Sequence, residues 1–534
     1  MEVEGAGEAE ELDLDHIRDD LAELYERKSY TRDENRPDAV ARRRTTGQKT
    51  AQENIESIVD PGSFKEYGPL VVAAQKARRT DEWLRERSPA DGLIGGLATV
   101  NGELFDDEQA RCMAISYDYT VFAGTQGVRN HYKQDRLFDI AHRYKLPILF
   151  FTEGGGGRPG DTEGLHMIGM DVYTFTQFSK LSGRVPLVGL NSGRCFAGNT
   201  AMLACCDVII ATEASTIAMG GPAMIEGGGL GVYRPEEVGP MSFQVPNGVV
   251  DILVKDDDEL CEVGKKYVSY FQGPIDDWEA HDQRRMRHIV PENRVRMYDV
   301  REVIETLADV DSVLEIREHY GVGIVTSLVR IEGRPMGLIA NNPHHLAGAI
   351  DSDGADKAAR FLQLCDAFGL PVISIMDCPG IMVGPDAERE ALVRHCARLF
   401  VAGANLSVPM FGLVIRKAYG LGVQAMCGGS SMVPLFTTAW PTAEFAGMNI
   451  EGAVKLGYRN ELEALETAEE RKELFDKRVE RAYENARAVN GAPYFGIDDV
   501  IDPADSRDWV LAGLRSLPPE QPRDDKRRPY IDTW

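Results

Sequence analysis

Glycine-rich turns directly follow four apolar, strand-like stretches, and these turns have the residue types that best suit chemistry. The segment FFTEGGGGR ends at Arg158, and VGLNSGRCFAGN ends at Asn199. Later in the chain, SIMDCPGIMVG ends at Gly384, and GLVIRKAYGLG ends at Gly422. Glycine lets the main chain approach a ligand closely, and a helix that begins at such a turn offers free N–H donors and partial positive charge. Two such donors that converge on one oxygen form an oxyanion hole.

The two halves of the chain repeat each other. Pro147, at the start of one apolar run, recurs as Pro371, which is 224 positions later, and Pro186 recurs as Pro409, which is 223 positions later. A self-similar spacing indicates a duplicated structural unit. The duplication predicts one oxyanion hole in each copy. Two holes suit a reaction that forms two enolate-like anions, with one substrate activated at each.

Helical patterns alternate with short apolar runs, which predicts parallel strands joined by crossover helices. The first copy is expected to contain a β-hairpin that turns at Asn101–Gly102, a helix over 136–145, a strand over 147–153, a helix over 166–181, a strand over 185–191, a helix from about 195 and a strand over 207–215. The second copy is expected to open near Thr326, with a turn at Glu332–Gly333 and a helix over 355–369.

Segments outside these repeats have weaker patterns. We expect an amphipathic helix over 14–28, a linker over 31–43, a helix over 46–59, a long surface loop over 222–248, a helix over 259–271, a linker over 272–295, a charged helical stretch over 459–488 and a loose C-terminal tail.

Composition limits the classes of function. The net charge of −26 argues against a nucleic-acid binder, which needs a basic surface. The sequence contains no run of about 18 uncharged apolar residues, which is the pattern that would predict a membrane span. The first 30 residues hold eleven acids and three bases, unlike a signal or transit peptide. The nine cysteines include no CxxC pair, which is typical of reduced thiols. We therefore predict a globular cytoplasmic protein.

Side chains with their own recognisable chemistry are few. No GxSxG, HExxH or GxxxxGK[ST] motif is present. His344–His345 lies in a polar turn, where either a plain loop or a ligand contact is open. His131, Lys133 and Arg136, just before a predicted helix, form a local basic group that could face a phosphorylated ligand.

Five longer motifs carry a family resemblance: TGQKTAQENIESIVDPGSFKEYG (46–68), SYDYTVFAGTQG (116–127), DCPGIMVG (377–384), IRKAYG (415–420) and AWPTAEFAGM (439–448). They resemble motifs of the carboxyltransferase (β) subunits of biotin-dependent acyl-CoA carboxylases of the acetyl/propionyl-CoA type. The likeness covers about residues 40–515.

The resemblance implies an α/β fold of two tandem crotonase-like (ClpP/crotonase) domains, each a ββα superhelix. The first domain would bind the acyl-CoA and the second would bind biotin. The expected divisions are an acidic N-terminal tail and helix over 1–40, the first carboxyltransferase domain over 41–285, the second over 286–515 and a C-terminal tail over 516–534.

The resemblance also implies a mechanism that needs no side-chain base. Carboxybiotin on the carrier protein releases CO2, the resulting ureido anion takes the α-proton of a short acyl-CoA, and the enolate attacks CO2. For the biotin anion, the matching catalytic positions are Leu421 and Gly422, with Gly380, Ile381, Tyr419, Gly420 and Gln424 as biotin-binding residues. For the thioester carbonyl, the matching catalytic positions are Ala197 and Gly198, with Gly155, Gly156, Arg158 and Lys133 as substrate- or CoA-binding residues.

Four features depart from the family pattern. The first loop usually reads Ser-Gly-Gly-Ala-Arg, whereas here Glu153 precedes four glycines, so the residue that faces the thioester is open by one position. The second-domain loop usually reads Tyr-Gly-Gly-Ala, whereas Leu421 stands after Gly420 here. Gln424 replaces an Asp that the family links to acyl-chain choice, and the Gly-rich 227–231 segment also differs. The sequence therefore leaves the acyl group open.

The chain has no EAMKM-like biotin-attachment motif and no ATP-grasp signature. The expected cofactors are therefore biotin on a separate carrier protein and a CoA thioester substrate, with no metal or ATP on this chain. The expected partners are a biotin carboxylase and a biotin carboxyl carrier protein, with no nucleic acid or membrane. The family implies a hexamer, a trimer of dimers, in which two subunits share each site.

Two alternatives stay open. The chain could serve a biotin-dependent decarboxylase or transcarboxylase, which uses the same half-reaction. It could also be a crotonase-like hydratase or isomerase, or a non-catalytic scaffold. A hydratase would need paired carboxylates beside one hole, for which Glu153, Glu163 and Glu213 are available.

Overall fold

The computed structural model describes residues 13–163, 171–519 and 523–534. Within these residues the α-helices, numbered α1 to α22, are Asp19–Ser29, Pro37–Arg44, Ala51–Ile58, Asp81–Arg87, Val128–Tyr144, Thr174–Ser179, Gly198–Ala204, Pro222–Gly227, Pro235–Val238, Met241–Gln244, Asp257–Ser269, Met286–Ile289, Val300–Leu307, Ser352–Phe368, Pro385–Arg389, Leu392–Ala404, Gly420–Met426, Ile450–Gly457, Arg459–Glu463, Ala468–Ala486, Ala488–Gly491 and Ser506–Ser516.

Within the same described residues, the strands, numbered β1 to β17, are Lys65–Glu66, Leu93–Thr99, Arg111–Tyr117, Ile148–Phe151, Leu187–Asn191, Arg194–Phe196, Val208–Thr212, Thr216–Ala218, Ile252–Val254, Leu314–Ile316, Ile324–Ile331, Arg334–Asn341, Val372–Cys378, Met410–Tyr419, Phe436–Ala439, Glu444–Ala446 and Asp499–Val500.

Each half of the chain builds one mixed sheet. The first sheet has the order β1-β2-β3-β4-β5-β7-β9, and the second has the order β10-β11-β12-β13-β14-β15-β17. In both sheets an antiparallel start leads into parallel strands, β3 with β4 and β12 with β13. Crossover helices α5 and α14 connect these pairs, as parallel neighbours require. The predicted duplicated α/β fold is therefore confirmed.

A shared backbone feature supports the duplication at single-residue level. Gly124 has φ 64° and Gly348 has φ 91°, which are left-handed values that favour glycine. A Cβ on Gly124 would lie 2.6 Å from the Glu153 carbonyl oxygen. A Cβ on Gly348 would lie 2.2 Å from the Asp377 carbonyl oxygen. Each pair of positions is 224 residues apart, so the two copies bring the same turn against the end of the same strand.

Local signals set the ends of several helices. The Thr50 side chain and Glu53 form a capping box that starts α3. The Asp351 side chain accepts from the Gly354 amide at the start of α14, and Gly369, at φ 76°, ends that helix. These helices were predicted, with boundaries shifted by a few residues.

The two hairpins differ from each other. In the second copy the predicted tight turn is confirmed, because Ile331 pairs with Arg334. In the first copy β2 and β3 do pair, but residues 100–110 join them, so the tight turn at Asn101–Gly102 is wrong. The Asn101 side-chain amide instead donates to the Lys265 carbonyl of α11 at 3.0 Å and to Gln272 Oε1 at 2.8 Å, which anchors the longer loop to α11 and the residues that follow it.

Several helix limits also differ from prediction. Helix α1 begins at Asp19, so Leu14 precedes it, and α2 begins inside the expected 31–43 linker and ends one residue beyond it. Helix α5 begins at Val128 and α6 covers only Thr174–Ser179, while residues 164–170 of the expected 166–181 helix lie outside the described residues. The expected 222–248 loop contains helices α8 to α10, and the expected 272–295 linker contains α12.

The two sheets are joined by one continuous apolar core. One cluster includes Val188 of the first sheet, Tyr267 of α11, Leu328 of the second sheet and Phe361 of α14. Apolar burial of this extent stabilises one fixed arrangement of the two halves. No helix in the described part of the chain combines the length and hydrophobicity that a bilayer crossing requires.

Residues 523–534 form a strap across both halves, so the expectation of a loose tail is wrong for them. In the first half, the Ser182 hydroxyl accepts from the Ile531 amide at 3.0 Å. In the second half, Arg398 donates to Asp532 Oδ2 at 2.6 Å. The Trp534 ring lies 5.3 Å from the Tyr320 ring. The sequence pattern gave no signal for these contacts because the partners are distant along the chain.

Candidate functional site

The first glycine cluster lies where β4 runs into Gly154–Gly157. Gly154 is held by β6, since its N–H donates to the Arg194 carbonyl at 2.8 Å and its carbonyl accepts from the Phe196 N–H at 2.9 Å. Helix α7 then begins at Gly198. The strand end and the helix start therefore lie side by side, as the sequence predicted.

Close packing brings the loop against the helix start. A Cβ on Gly156 would lie 2.6 Å from the Ala197 Cβ and 3.5 Å from the Gly198 nitrogen. Gly156 has φ 88°, and Ala197 has φ 52° and ψ −119°. These left-handed values are costly for alanine, and such strain is concentrated at functional sites.

Three predicted contributors in this cluster already donate their amide hydrogens inside the protein. We therefore no longer assign these three amides to the substrate oxygen, and we assign them to holding the loop and the helix start in place. The Gly155 N–H donates to Ala123 O at 3.0 Å, the Gly156 N–H to Asn199 Oδ1 at 2.9 Å and the Ala197 N–H to Ala218 O at 3.3 Å.

The amides of Gly157 and Gly198 have no acceptor among the described residues, and those of Asn199 and Thr200, which follow Gly198 at the start of α7, have none either. Gly157 forms a parallel β-bridge with Gln126. The residues on either side of Gly157 make its hydrogen bonds: the Gln126 N–H donates to Gly156 O, and the Arg158 N–H donates to Gln126 O. In such a parallel bridge the N–H of Gly157 faces away from Gln126. Gly198 is the first residue of α7, whose opening amides have no partner within the helix.

The second glycine cluster repeats this pattern. Ile381 forms a parallel β-bridge with Ile350. In this bridge the Ile350 N–H donates to Gly380 O at 3.0 Å, and the Met382 N–H donates to Ile350 O at 2.9 Å. The N–H of Ile381 therefore faces away, as that of Gly157 does.

Helix α17 supplies the second amide of this cluster. It begins at Gly420, at φ 58°, and the N–H groups of Leu421 and Gly422 have no acceptor among the described residues. Ile381 follows Gly157 by 224 positions, and Leu421 follows Gly198 by 223. The same pair of free amides thus occurs once in each copy.

The facing segments of the second cluster are in direct contact. A Cβ on Gly422 would lie 2.6 Å from the Gly380 carbonyl carbon and 2.6 Å from Cys378 Sγ. Leu421 is 62% exposed, so its side chain does not fill the space between them. The Tyr419 hydroxyl donates to Glu444 Oε2 at 2.8 Å, which fixes the residue before α17. Gln424 is exposed on the next turn of that helix.

The glycine contact makes one substitution informative. We expect Gly422→Ala to push the Gly380 segment away from α17 and to lower kcat of carboxyl transfer by about a hundredfold, because donor misplacement weakens the hole. Overpacking of this kind costs about 1–3 kcal/mol of stability. Steady-state kinetics on Gly422→Ala and Gly457→Ala would check this, since a Cβ on Gly457 meets nothing within 4 Å. Equal activity of the two variants would contradict the packing argument.

Lys133 and Arg158 do not face a ligand, so their predicted CoA contacts are revised. Lys133 is buried and its Nζ donates to Ala90 O at 3.1 Å and to Leu93 O. Burial lowers the pKa of Lys133 to about 8. The Arg158 guanidinium is also buried, and it pairs with Asp91. Both cations therefore hold the first domain together.

The other two members of the predicted basic group also lie in α5. Burial lowers the pKa of His131 to about 4, and its ring lies 3.1 Å from the Thr174 hydroxyl. Arg136 is exposed and pairs with Asp139. The three side chains therefore have separate surroundings and do not form one phosphate pocket.

A buried ion pair supports the start of each glycine loop, and the sequence analysis did not find it. Glu153 pairs with Arg43 of α2, and Asp377 pairs with Arg416 at 2.9 Å. Burial raises the pKa of Glu153 to about 7, although Arg43 opposes the shift. The signal in the sequence for these ion pairs is that Glu153 and Asp377 are both acidic and lie 224 positions apart, which is the offset of the repeat.

A cavity of about 920 Å3 lies behind the second cluster, between Arg416, Glu444 and helix α20. Gly157, Gly198, Ile381 and Leu421 do not line this cavity. Gly157 and Leu421 are exposed at the surface instead, so each cluster is open to a ligand.

Comparison with known proteins places this arrangement. The carboxyl transferase domain family matches residues 42–526. A propionyl-CoA carboxylase beta chain from Saccharopolyspora erythraea is 30% identical over 96% of this chain and 95% of its own length. The solved transcarboxylase 12S hexamer is 28% identical, with a TM-score of 0.81, over 97% of this chain and 99% of its own.

A solved single-chain, multi-domain long-chain acyl-CoA carboxylase has higher identity. It is 56% identical, with a TM-score of 0.89, and the match covers 93% of this chain. The chain spans 49% of that protein's length.

The chain belongs to the carboxyl transferase domain family. Within that family it is a carboxyltransferase of the acyl-CoA carboxylase β type, as the resemblance implied. The predicted crotonase-like fold is confirmed with it.

Proposed function

We propose that the protein transfers a carboxyl group from carboxybiotin on a carrier protein to the α-carbon of an acyl-CoA, using two backbone oxyanion holes. The observation that carries the proposal is the repeated pair of free amides, Gly157 with Gly198 and Ile381 with Leu421. Carboxybiotin supplies the carboxyl group as CO2 and leaves a basic ureido anion. Everything else that the reaction requires can come from the main chain.

In the first domain, the amides of Gly157 and Gly198 would hold the thioester oxygen. Its negative charge grows as the α-proton leaves, so donors fixed in advance lower the barrier. The partial positive end of α7 adds to the same field. The contact between Gly156 and Ala197 keeps the donors from drifting apart.

In the second domain, the amides of Ile381 and Leu421 would hold the ureido oxygen. A biotin ring fits between two glycine-rich segments whose side chains leave the space open, as the exposed Leu421 does here. This hole stabilises the anion that accepts the α-proton, so no carboxylate or histidine is needed as the base.

We propose a long acyl chain as the substrate, in place of the short acyl group that the family resemblance implies. The relative at 56% identity acts, by its name, on long-chain acyl-CoA. Beside the first cluster, Ala218 accepts from Ala197, and the segment that follows exposes several large apolar side chains. These are Met219, Met224, Leu230, Val232 and Tyr233, exposed by 47–78%.

Chain-length kinetics test this proposal. We expect kcat/KM for carboxyl transfer to rise steadily from acetyl-CoA to acyl groups of a dozen or more carbons, because each buried CH2 contributes about 0.8 kcal/mol. Met224→Ser with Leu230→Ser should reduce that preference about tenfold and leave acetyl-CoA unaffected. A preference for acetyl- or propionyl-CoA in the unmodified protein would contradict the long-chain assignment.

Partners follow from the same proposal. A separate biotin carboxylase and a biotinylated carrier would load the donor, and the cytoplasm stays the proposed location. We also propose a hexamer, on the precedent of the 12S structure, with the first cluster of one subunit facing the second cluster of its neighbour. Exchange of carboxyl between a carboxylated acyl-CoA and free biotin would test the activity directly. No exchange with any chain length would overturn the function.

A further inference from the structure

We propose that a basic pocket between the two halves of the chain binds an oligophosphate, which is a ligand with two or more linked phosphate groups. The pocket has a volume of about 390 Å3 and is partly lined by the strap of residues 523–534. We call it the strap pocket, and its cations are Lys145, Arg184, Arg523, Lys526 and Arg527. The inference does not depend on the carboxyltransferase reaction.

Charge distinguishes the strap pocket from the rest of the molecule. The chain carries a net charge of −26, yet the wall of this pocket contains five bases and two acids, Asp524 and Asp525. Asp524 lies 3.5 Å from Lys145, but its side chain is fully exposed, so water screens this ion pair. A net positive pocket on an acidic protein raises the local concentration of small anions.

Main-chain carbonyls hold two of these cations. Lys526 Nζ donates to Ser182 O at 2.6 Å and to Pro529 O at 3.0 Å, and Arg184 Nε donates to His142 O at 3.3 Å. Neither Lys526 nor Arg184 forms an ion pair with a carboxylate in the described part of the chain. The carbonyls therefore orient the two cations and leave their positive charges uncompensated, so a phosphate can add charge-assisted hydrogen bonds.

The cations also lie close enough to repel one another. Burial and the charge of Arg184 lower the pKa of Lys526, although Asp207 opposes the shift. Burial and the charges of Arg184 and Lys526 lower the pKa of His142 at the same edge. An anion that binds among like charges relieves their repulsion, which favours its binding.

The second half of the chain supplies a carboxylate at the equivalent position. His142 of α5 corresponds to Asp366 of α14, which is 224 positions later. The Asp366 carboxylate accepts from Arg528 of the strap at 2.9 Å. Lys526 of the same strap has only carbonyl acceptors on the side of the first half. An external anion in the strap pocket would therefore do for Lys526 what Asp366 does for Arg528.

The strap pocket is separate from the proposed thioester site. Lys145 precedes β4, whereas the first glycine cluster begins at Gly154, after β4 has ended at Phe151. At about 3.3 Å per strand residue, the strand places the pocket roughly 20 Å from that cluster. The pocket volume lies at the small end of the range for ligand sites, which suits a short phosphate chain. Free tripolyphosphate and a nucleoside triphosphate both carry such a chain.

Calorimetric titration of the full-length protein with sodium tripolyphosphate tests the proposal. We expect binding that weakens as the salt concentration rises, because salt screens the attraction. The double variant K145Q/R523Q removes two cations of the pocket and should bind about tenfold more weakly. The matched control is R136Q/R143Q, which removes two exposed cations of α5 that lie outside the pocket. It should bind tripolyphosphate as the unmodified protein does.

A variant with the opposite expected effect guards against a loosened strap. D524N/D525N removes the two acids of the pocket wall, both of which are exposed. It should bind tripolyphosphate several-fold more tightly than the unmodified protein, because repulsion of the phosphates is reduced. Tripolyphosphate should also raise Tm of the unmodified protein and of D524N/D525N more than Tm of K145Q/R523Q, since a ligand stabilises the state that binds it. Unchanged affinity in D524N/D525N would contradict the proposal.

Titrations with ATP, AMP and inorganic phosphate distinguish the sources of the phosphate chain. Tripolyphosphate and ATP should each bind at least about tenfold more tightly than phosphate and AMP, because they reach more of the cations. Tighter binding of ATP than of tripolyphosphate would identify a nucleoside triphosphate as the ligand, and the reverse order would identify a free oligophosphate.

Three results would overturn the strap pocket. These are no binding of tripolyphosphate, equal affinities of K145Q/R523Q and R136Q/R143Q, and equal affinities for tripolyphosphate and phosphate. Competition between tripolyphosphate and acyl-CoA in the carboxyl-transfer assay would also overturn it, because it would place the anion in the substrate site. Each of these results would leave the proposed carboxyltransferase function intact.

Discussion

Leu421→Pro is expected to lower kcat for carboxyl transfer by about 10²–10³-fold, the usual effect of removing one oxyanion-hole donor. The substitution deletes the N–H that we assign to the ureido oxygen. Proline fits the first turn of a helix, where the N–H has no helical acceptor, and Leu421 is the second residue of α17. The loss should appear in kcat, with KM for the acyl-CoA nearly unchanged, because that substrate binds in the other domain.

Leu421→Ala is the control for this variant, since it retains the N–H and removes only an exposed side chain. It should keep activity within a few-fold of the wild type. Thermal unfolding and the oligomeric state of both variants should be measured alongside the kinetics. If the two variants lose activity equally, the side chain matters and the backbone donor in the second domain is not supported.

Arg43→Ala is expected to cost about 3–5 kcal/mol of stability, because it leaves Glu153 buried without its partner. Arg44→Ala, one position away, removes a largely exposed pair with Glu53 and should cost no more than about 1 kcal/mol. Thermal denaturation of the two variants gives the comparison. Because Glu153 starts the first glycine loop, Arg43→Ala should also reduce activity at temperatures where it stays folded.

The penalty in Arg43→Ala should grow with pH. Burial already raises the pKa of Glu153 from 4.5 to about 7, and loss of the Arg43 charge, which lowers it, raises that pKa further. A carboxyl with a raised folded-state pKa binds a proton on folding, so its contribution to stability falls as pH rises from 4.5 through the folded pKa. Tm of the variant should therefore fall more from pH 6 to pH 8 than Tm of Arg44→Ala. Parallel pH profiles would contradict the buried-charge account.

The architecture could be predicted because its signals are local. The proline-started strands, the helix that ends at Gly369 and the tight turn at Glu332–Gly333 each depend on a few neighbouring residues. Their recurrence along the chain predicts the two-copy fold. The prediction of a tight turn at Asn101–Gly102 was wrong because the side chain of Asn101 forms a hydrogen bond with Gln272, 171 positions away.

The sequence predicts which segments form the site, but it does not predict which individual N–H groups are free to donate. Sequence shows which residues are glycine, but it does not show which N–H groups already have an acceptor. Ala123, Asn199 and Ala218 come from three different segments. They accept hydrogen bonds from the amides that were first expected to bind the substrate. Because the amides of Gly157 and Ile381 both lack an acceptor among the described residues and lie 224 positions apart, we propose Gly157 as the residue that faces the thioester.

Burial also changed the assignment of charged residues. Lys133 has the residue type that would bind a phosphate, but the fold turns it towards the carbonyls of Ala90 and Leu93.

The most direct measurement is a structure of the assembled protein with an acyl-CoA and biotin bound together. The account predicts the thioester oxygen at about 2.7–3.1 Å from the nitrogens of Gly157 and Gly198, and the ureido oxygen at the same distance from Ile381 and Leu421. The two clusters, from neighbouring subunits, should face one cleft. Oxygens held by side chains, or clusters that open onto separate clefts in the assembly, would contradict it.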